Sequence, residues 1–468
     1  PAVLLQDFAQ RVPELERVFW YHSFVVRGLE VRRGQRRLLL LLLLAHVLAP
    51  LDPRVAKQRI GQEQKVACAN SAERPPGLDQ QSGEQQPYQR QHLETDSAAW
   101  TNRCPTRRRH VGNHINAAML YPVPKLIERA KIWYKETGYE IKVIIGDLID
   151  PELMRSLFSG QDVNYDWSIN NSYADIPDTV IHYAEQPSAP YSLMNYKTAN
   201  FTITNNLLVT NNLLFAIRDL APDVHIIKLG TMGEYGTPNI DIEEGWIDIE
   251  SKGRKGKFLF PRQAGSLYHT TKIMDTDLMW FGVRMWDLKV TDLMQGPVYG
   301  IETEESKINN GLRTIFNYDE IFGTVINRFI TQAVADYPLT VYGKGGQSRG
   351  YLNLEDSLQC TYISFENQAE SGDLRIFNQI METFTVNELA ELTKESASEL
   401  GYDVIINHIE NPREEQEEHY YNPVYKRLTD LGVKPHLLSK QYMINMIKTV
   451  EKFKSDINQD VIFNGIKW

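Results

Sequence analysis

The residues with the clearest chemical meaning are Tyr268 and Lys272, four positions apart in the run Tyr-His-Thr-Thr-Lys. On a helix this spacing places both side chains on one face. A tyrosine hydroxyl has a pKa of about 10, and a neighbouring ammonium group favours the phenolate and lowers that value. Such a pair can take the proton of a substrate hydroxyl while a cofactor accepts a hydride. The same spacing occurs by chance in many helices, so the surrounding residues must show whether this pair is functional.

Thr231 and Glu234 form a second candidate group, in the run Gly-Thr-Met-Gly-Glu-Tyr-Gly after a predicted strand. The Thr231 hydroxyl could hydrogen-bond the reacting oxygen, and the Glu234 carboxylate could move a proton at a neighbouring carbon. A structural alternative stays open, because Thr followed three residues later by Glu is the pattern of a helix capping box. The flanking glycines and the position after a strand favour a functional site.

The elements that would position these residues follow from hydrophobic periodicity. Strands are predicted at 141–145, 178–183, 224–229 and 288–293, and helices at 124–139, 151–158, 207–220 and 268–286. Short apolar strands alternating with helices indicate an α/β fold with a Rossmann-like, doubly wound parallel sheet. In such sheets ligands bind beyond the carboxyl ends of the strands. The last 150 or so residues, with short strands such as Leu339–Tyr342, predict a smaller C-terminal substrate-binding lobe.

Residues 1–115 differ from the rest of the chain. They are rich in Gln, Arg and Pro, and residues 80–87 have the composition of a disordered segment. Seven leucines at 38–44 are too few for a membrane helix, which needs about 20 apolar residues, and they begin too late for a signal peptide. A targeting extension, a disordered tail and a wrongly predicted gene segment all remain open.

Composition narrows the class of partner. The net charge is -10, which argues against nucleic acid as the main partner, since phosphate neutralisation needs clustered cations. The three cysteines, Cys68, Cys104 and Cys360, are far apart and include no Cys-x-x-Cys pair. A disulfide framework and a metal site are therefore not expected, and a reducing compartment is favoured.

Several longer motifs occur in a fixed order from residue 121 to the end of the chain. Taken together, these motifs resemble those of the UDP-sulfoquinovose synthases. Those enzymes are extended short-chain dehydrogenases and belong to the NAD-dependent epimerase/dehydratase family. The run around Thr231 is the most specific of these motifs, whereas the Tyr-Lys pair is shared by the whole dehydrogenase group. The motifs are 184–192, 230–240, 268–272, 295–300, 339–350, 411–413 and 418–421.

The resemblance implies a sequence of reactions on UDP-glucose. NAD would oxidise C4 of the glucose, with Tyr268 as base and Lys272 beside it. Loss of the C5 proton, through Glu234, would expel the C6 hydroxyl as water. Sulfite would add at C6, and return of the hydride to C4 would give UDP-sulfoquinovose. A homodimer without a membrane span is implied as well.

Further contacts are implied one residue at a time. Asp147 resembles a residue that contacts the adenine of NAD; the alternative is an Asp that stabilises a turn. Asn206 resembles a residue near the cofactor; the alternative is a helix cap. Gln295 and Tyr342 match positions of the substrate pocket, beside Thr231 and Tyr268. Arg349 and Arg413 resemble arginines that hold the UDP phosphates, a role that suits a forked guanidinium; surface ion pairs are the alternative.

Two features depart from the family pattern. No glycine-rich turn for the NAD pyrophosphate follows a strand in residues 1–120, and Pro187 stands where the family has Arg. Both departures favour one alternative, a non-catalytic UDP-sugar-binding relative. A second alternative, a nucleotide-sugar epimerase or dehydratase, also stays open, although the run around Thr231 argues against it. The predicted regions are an atypical N-terminal region (1–115), an NAD-binding domain (116–315) and a mainly UDP-sugar-binding lobe (316–468). The predicted location is the chloroplast stroma for a plant or alga, and otherwise the cytoplasm.

Overall fold

The computed structural model describes residues 23–27, 38–43, 119–160, 165–169, 176–411 and 420–462. Its strands are β1 (Ser23–Arg27), β2 (Leu38–Leu43), β3 (Lys142–Ile144), β4 (Thr179–Tyr183), β5 (His225–Thr231), β6 (Trp246–Ser251), β7 (Arg254–Leu259), β8 (Lys289–Gln295), β9 (Val298–Tyr299), β10 (Leu339–Tyr342), β11 (Ser348–Asn353), β12 (Leu374–Gln379), β13 (Glu382–Thr385) and β14 (Ile406–Ile409). Its α-helices are α1 (Leu126–Thr137), α2 (Pro151–Ser156), α3 (Ala189–Leu193), α4 (Tyr196–Leu220), α5 (Leu267–Trp286), α6 (Glu304–Ile308), α7 (Val325–Val334), α8 (Leu354–Glu366), α9 (Val386–Ser398), α10 (Arg427–Asp430) and α11 (Lys440–Glu451).

A seven-stranded sheet carries the site, with the strand order β12-β8-β5-β4-β2-β1-β3. β12, β8, β5, β4 and β2 pair in parallel. β1 runs antiparallel to both of its neighbours, β2 and β3. The predicted parallel α/β sheet is thus confirmed, with one reversed strand near its edge.

Helices cover both faces of this sheet. Val180 and Ile226 pack with side chains of α2, α4 and α5, whereas the next residue of each strand, Ile181 and Ile227, packs with α1, α8 and α10. Successive strand residues point to opposite faces, so a strand buried on both sides carries apolar side chains on both of its faces. Burial of each such side chain contributes about 1.5–3 kcal/mol, which explains why the strand runs are so clear in the sequence.

A second core lies in the C-terminal part of the chain. It contains Phe329 of α7, Val341 of β10, Leu389 of α9 and Ile447 of α11. β10 pairs in parallel with β14, and β11 lies between β13 and β9. β12, α8 and α10 lie in the same stretch of sequence but belong to the main sheet and the layer that covers it. The main sheet therefore draws its last strand from beyond residue 316.

The leucine run is the main surprise relative to the sequence. Leu38–Leu43 forms β2, which pairs with β4 and lies inside the sheet. The sequence predicted no strand in residues 1–115, because periodicity cannot distinguish one short apolar run from another. Helix α4 also begins eleven residues earlier than predicted, at Tyr196, because the Asn195 side chain caps it in a capping box with Thr198.

Within the described ranges, no helix combines the length and the apolar character needed to cross a membrane. The same residues contain no cluster of His, Cys, Asp and Glu that could hold a metal ion. Cys360 is a buried free thiol on α8, and burial raises its pKa. Cys68 and Cys104 lie outside the described residues.

Candidate active site

The carboxyl ends of three neighbouring strands form one edge of the site. Thr231, Gln295 and Gln379 are the last residues of β5, β8 and β12, and they lie directly opposite one another in the strand register. The Gln295 side-chain amide donates to the Gln379 side-chain oxygen at 2.9 Å and to the Ser357 hydroxyl at 2.8 Å. Two sequence-predicted residues, Thr231 and Gln295, are thus brought together where ligands of such sheets bind.

Helix α5 carries Tyr268 and Lys272 on its first two turns, as the sequence predicted. Ser266 caps the helix, because its side chain accepts a hydrogen bond from the His269 amide at 3.1 Å. The Tyr268 amide donates to the Ser192 hydroxyl at 3.1 Å, which anchors the start of α5 to α3. Tyr268 is partly exposed, whereas Lys272 is buried.

Lys272 forms a buried ion pair with Glu185, at the loop that follows β4. The Lys272 ammonium donates to the Glu185 Oε1 at 2.5 Å. Burial lowers the pKa of Lys272, but neighbouring acidic groups, above all the Glu185 carboxylate, outweigh it, so the pKa lies above its usual value. Burial opposes ionisation of Glu185 too, yet Lys272 and other neighbouring cations leave the pKa of Glu185 lowered. Sequence analysis did not single out Glu185, although it lies in one of the family motifs.

Thr231 and Glu234 form the capping box that sequence analysis kept as an alternative. The Thr231 hydroxyl accepts from the Gly233 amide at 3.2 Å, and Glu234 Oε1 accepts from the Thr231 amide at 3.4 Å. These bonds close the 3-10 turn Met232–Glu234 directly after β5. The turn fixes where both side chains lie, which is compatible with either a structural or a chemical role.

Glu234 is fully buried, and its carboxylate lies among cations that no local sequence pattern groups with it. Lys228 Nζ lies 3.5 Å from Glu234 Oε1, and an Arg262 nitrogen lies 3.4 Å from Oε2. The Thr276 hydroxyl oxygen, one turn after Lys272 on α5, lies 3.3 Å from Oε2. Burial and the Asp292 carboxylate raise the pKa of Glu234, against the opposing effect of Lys228 and Arg262.

The two remaining predicted cofactor contacts lie in different environments. Asn206 is fully buried in the middle of α4, so it is not a helix cap. Its side chain accepts from the Gln186 amide at 2.8 Å and donates to the Thr271 hydroxyl at 3.0 Å, which joins the loop after β4 to α5. Asp147 lies in the exposed turn after β3, where its side chain accepts from the Ile149 amide at 3.0 Å.

The predicted substrate contacts of the C-terminal part lie on β10 and β11. Tyr342 is buried at the end of β10, and its hydroxyl donates to Glu320 at 3.0 Å. Arg349 lies on β11 and donates to the Ser348 carbonyl at 2.7 Å. A Cβ on Gly296 would collide with the Gly350 carbonyl, so the turn after Gln295 packs directly against the residue that follows Arg349. Arg413 lies outside the described residues.

Comparison with known proteins supports the resemblance that the motifs suggested. Residues 135–378 match the NAD dependent epimerase/dehydratase family. The chloroplastic UDP-sulfoquinovose synthase of Spinacia oleracea is 40% identical over 361 residues, which cover 77% of this chain and 72% of that protein. The UDP-sulfoquinovose synthase of Sulfolobus acidocaldarius is also 40% identical, over 363 residues that cover 77% of this chain and 88% of the relative.

Among solved structures, UDP-glucuronic acid 4-epimerase from Bacillus cereus, in complex with UDP-glucuronic acid and NAD, resembles this chain. The TM-score is 0.48 at 19% identity, over 66% of this chain and 80% of that one. The sequence relatives match along most of their own length. The chain therefore belongs to the NAD dependent epimerase/dehydratase family, and to the same family as these two UDP-sulfoquinovose synthases.

Proposed function

We propose that this chain is an NAD-dependent enzyme that converts UDP-glucose and sulfite into UDP-sulfoquinovose. One observation carries the proposal: the Thr231–Glu234 turn and the Tyr268–Lys272 helix meet at the carboxyl end of the sheet. The two elements touch where the Thr276 hydroxyl lies 3.3 Å from Glu234 and where the His269 ring packs against Gly233. The 40% identity to two UDP-sulfoquinovose synthases supports the choice of product.

The chemistry of the described residues fits the reacting end of NAD. A phenol and an ammonium group share one face of α5, and the Asn206 side chain holds the loop after β4 against that helix. The turn after β2, where the family's glycine-rich turn for the pyrophosphate is expected, lies outside the described residues. Asp147, at the exposed turn after β3, would contact the adenine, and Tyr268, Lys272 and Asn206 would lie at the nicotinamide end.

The side chains would act on the sugar as follows. When bound, NAD accepts the C4 hydride and later returns it. The ammonium of Lys272 favours the phenolate form of Tyr268, and this phenolate takes the proton of the C4 hydroxyl. Thr231 donates a hydrogen bond to the same oxygen. Glu234 takes the C5 proton, and its raised pKa suits a group that must both accept and release a proton.

The UDP part would bind along the C-terminal lobe. Arg349 and Arg413 would form a pair of arginines whose guanidinium groups bind the phosphates. Gln295 and Tyr342 would line the sugar and nucleotide pocket between the sheet edge and β10. This assignment keeps residues 116–315 as the main NAD-binding part and residues 316–468 as the main UDP-sugar-binding part, with β12 completing the sheet.

A homodimer is the proposed assembly. Helices α4 and α5 pack against each other and still expose large apolar side chains, including Phe201, Leu208 and Phe215 on α4 and Met274 and Phe281 on α5. Contact with the same helices of a second copy would remove these side chains from water. Light scattering should give twice the chain mass; a monomer at micromolar concentration would contradict the assignment.

For the location, the Spinacia oleracea relative is named as chloroplastic. For a plant or algal source we propose the chloroplast stroma as the location of this chain, and for any other source the cytoplasm. Fractionation of source cells, followed by detection of the chain in stroma or cytosol, tests this directly.

The decisive experiment incubates the purified chain with UDP-glucose, sulfite and NAD and follows the products by mass spectrometry. We expect a product whose mass corresponds to replacement of the C6 hydroxyl by sulfonate. A UDP-hexose epimer formed without sulfite would instead indicate an epimerase, and a dehydrated UDP-sugar would indicate a dehydratase. Binding of UDP-glucose without any product would identify a non-catalytic relative.

A further inference from the structure

A cluster of buried ionisable side chains lies beneath the first turns of α5. Its carboxyl groups are those of Glu185, Glu234, Asp275 and Asp292, and its cations are Lys228, Lys272 and Arg262. His182 is also buried there, and burial lowers its pKa to about 4, so it is neutral near pH 7. Four carboxyl groups face three cations, and an unbalanced charge in a buried site is costly.

Three of the four carboxylates have partners that stabilise a negative charge. Glu234 lies near Lys228 and Arg262, and Asp292 accepts from Lys228 at 3.1 Å and from the Thr276 hydroxyl at 2.7 Å. Glu185 accepts from Lys272 at 2.5 Å. These contacts pair each of the three cations with a carboxylate and leave one carboxyl group over.

The remaining carboxyl group is that of Asp275, one turn after Lys272 on α5. It is fully buried, and no described N–H or hydroxyl group donates to either of its oxygens. Burial, followed by the neighbouring Glu185 charge, raises the pKa of Asp275 well above its usual range. A protonated Asp275 can donate to Glu185, whose Oε2 accepts no other hydrogen bond from the described residues.

We propose that Glu185 is the residue that positions Lys272, and that Asp275 holds a proton and donates it in a hydrogen bond to Glu185. The two carboxyls then carry one negative charge, which matches the one positive charge of Lys272. The inference rests on the proposed function, since it assigns the support of the Tyr268–Lys272 pair. Neither Glu185 nor Asp275 needs to contact the substrate.

The charged and titratable neighbours of Glu185 come from every element around it. Lys272 and Asp275 belong to α5, His182 to β4 and Lys228 to β5. The His182 ring nitrogen lies 3.6 Å from Glu185 and 3.1 Å from the Thr210 hydroxyl of α4. Loss of the Glu185 charge would leave Lys272 buried without its nearest counter-charge. The ammonium would then be less favoured, and it would support the Tyr268 phenolate less.

The test compares three variants of the full chain: Glu185→Gln, Glu185→Asp and Asp275→Asn. Glu250→Gln is the matched control, because Glu250 pairs with Lys255 at 3.4 Å on the exposed hairpin of β6 and β7. We expect E185Q to lower kcat by about tenfold or more, while KM for UDP-glucose changes less than about threefold. The pH at which kcat is half-maximal should rise by about one unit.

E185D, which keeps the charge, should restore part of kcat and the original pH profile. D275N should lose less activity than E185Q and keep the half-maximal pH, because an amide N–H can replace the donated proton. The fraction of chains that retain NAD should fall in E185Q and stay unchanged in the Glu250 control.

A wild-type kcat and pH profile in E185Q would overturn the inference. So would a larger loss in D275N than in E185Q, because Asp275 would then carry the charge that matters. If E185Q does not fold, the pH dependence of kcat in D275N tests the inference instead. A shift of the half-maximal pH in D275N would contradict a neutral Asp275. An inactive wild-type chain would contradict the proposed function instead, so the two failures are distinguishable.

Discussion

The substitution Asp275→Asn should change how the free energy of unfolding depends on pH. Asp275 is fully buried without a donor to either oxygen, and its pKa is raised well above the usual range by burial and the Glu185 charge. A group whose pKa is raised by folding contributes stability that is complete below its unfolded pKa. That stability is lost as the pH rises toward the folded pKa. Asn cannot ionise, so the variant lacks this loss.

The size of the effect follows from a count of one proton. Above about pH 5 an unfolded Asp275 is ionised, whereas the pKa of the native group is raised, so the Glu185–Asp275 pair still holds one proton there. The wild-type free energy of unfolding should therefore lose about 1.4 kcal/mol per pH unit relative to D275N. For each pH unit over which the native pair keeps this proton, the difference between the two proteins should change by that amount in favour of D275N.

Urea denaturation at several pH values measures this difference directly. Asp248→Asn provides the control, since Asp248 lies exposed on β6 and the same chemical change should leave the slope unaltered. Parallel curves for wild type and D275N would refute the reasoning, because they would show that no proton is taken up at this pair on folding. The result does not depend on which of the two carboxyls carries the proton.

Three further outcomes are expected. Tyr268→Phe should abolish turnover yet keep UDP-glucose binding, measured by calorimetry, because it removes only the hydroxyl; turnover at the wild-type rate would refute the role of base. Lys228→Met should destabilise the fold by about 3–5 kcal/mol in urea unfolding, because it leaves the buried Glu234 with fewer counter-charges; a loss below about 1 kcal/mol would contradict the importance of that pair. Gly236→Ala should cost at least about 2 kcal/mol in the same assay, since Gly236 has φ +62° and a Cβ would collide with the Gln263 carbonyl; an unchanged midpoint would show that the turn can shift.

Local patterns in the sequence were sufficient for much of the fold. The strands that end in Tyr183, Thr231 and Gln295 are buried on both faces, and their apolar residues made them recognisable, although His182, Lys228 and Asp292 interrupt these runs. Thr231 follows a predicted strand directly, and the helix of Tyr268 was predicted to face it, so local patterns predicted that both residues lie at the carboxyl edge of the sheet. The spacing of Tyr268 and Lys272 likewise determined that they share one face of α5.

What only the tertiary structure decided depends on contacts between residues far apart in the chain. The leucine run Leu38–Leu43 is a strand because β4 pairs with it, and nothing in its own composition distinguishes a strand from a targeting segment. Glu185 is separated from Lys272 by 87 positions, so their ion pair has no local signature. Burial, rather than residue type, makes Asp275 a proton carrier, and burial exists only once α5 has packed against the sheet.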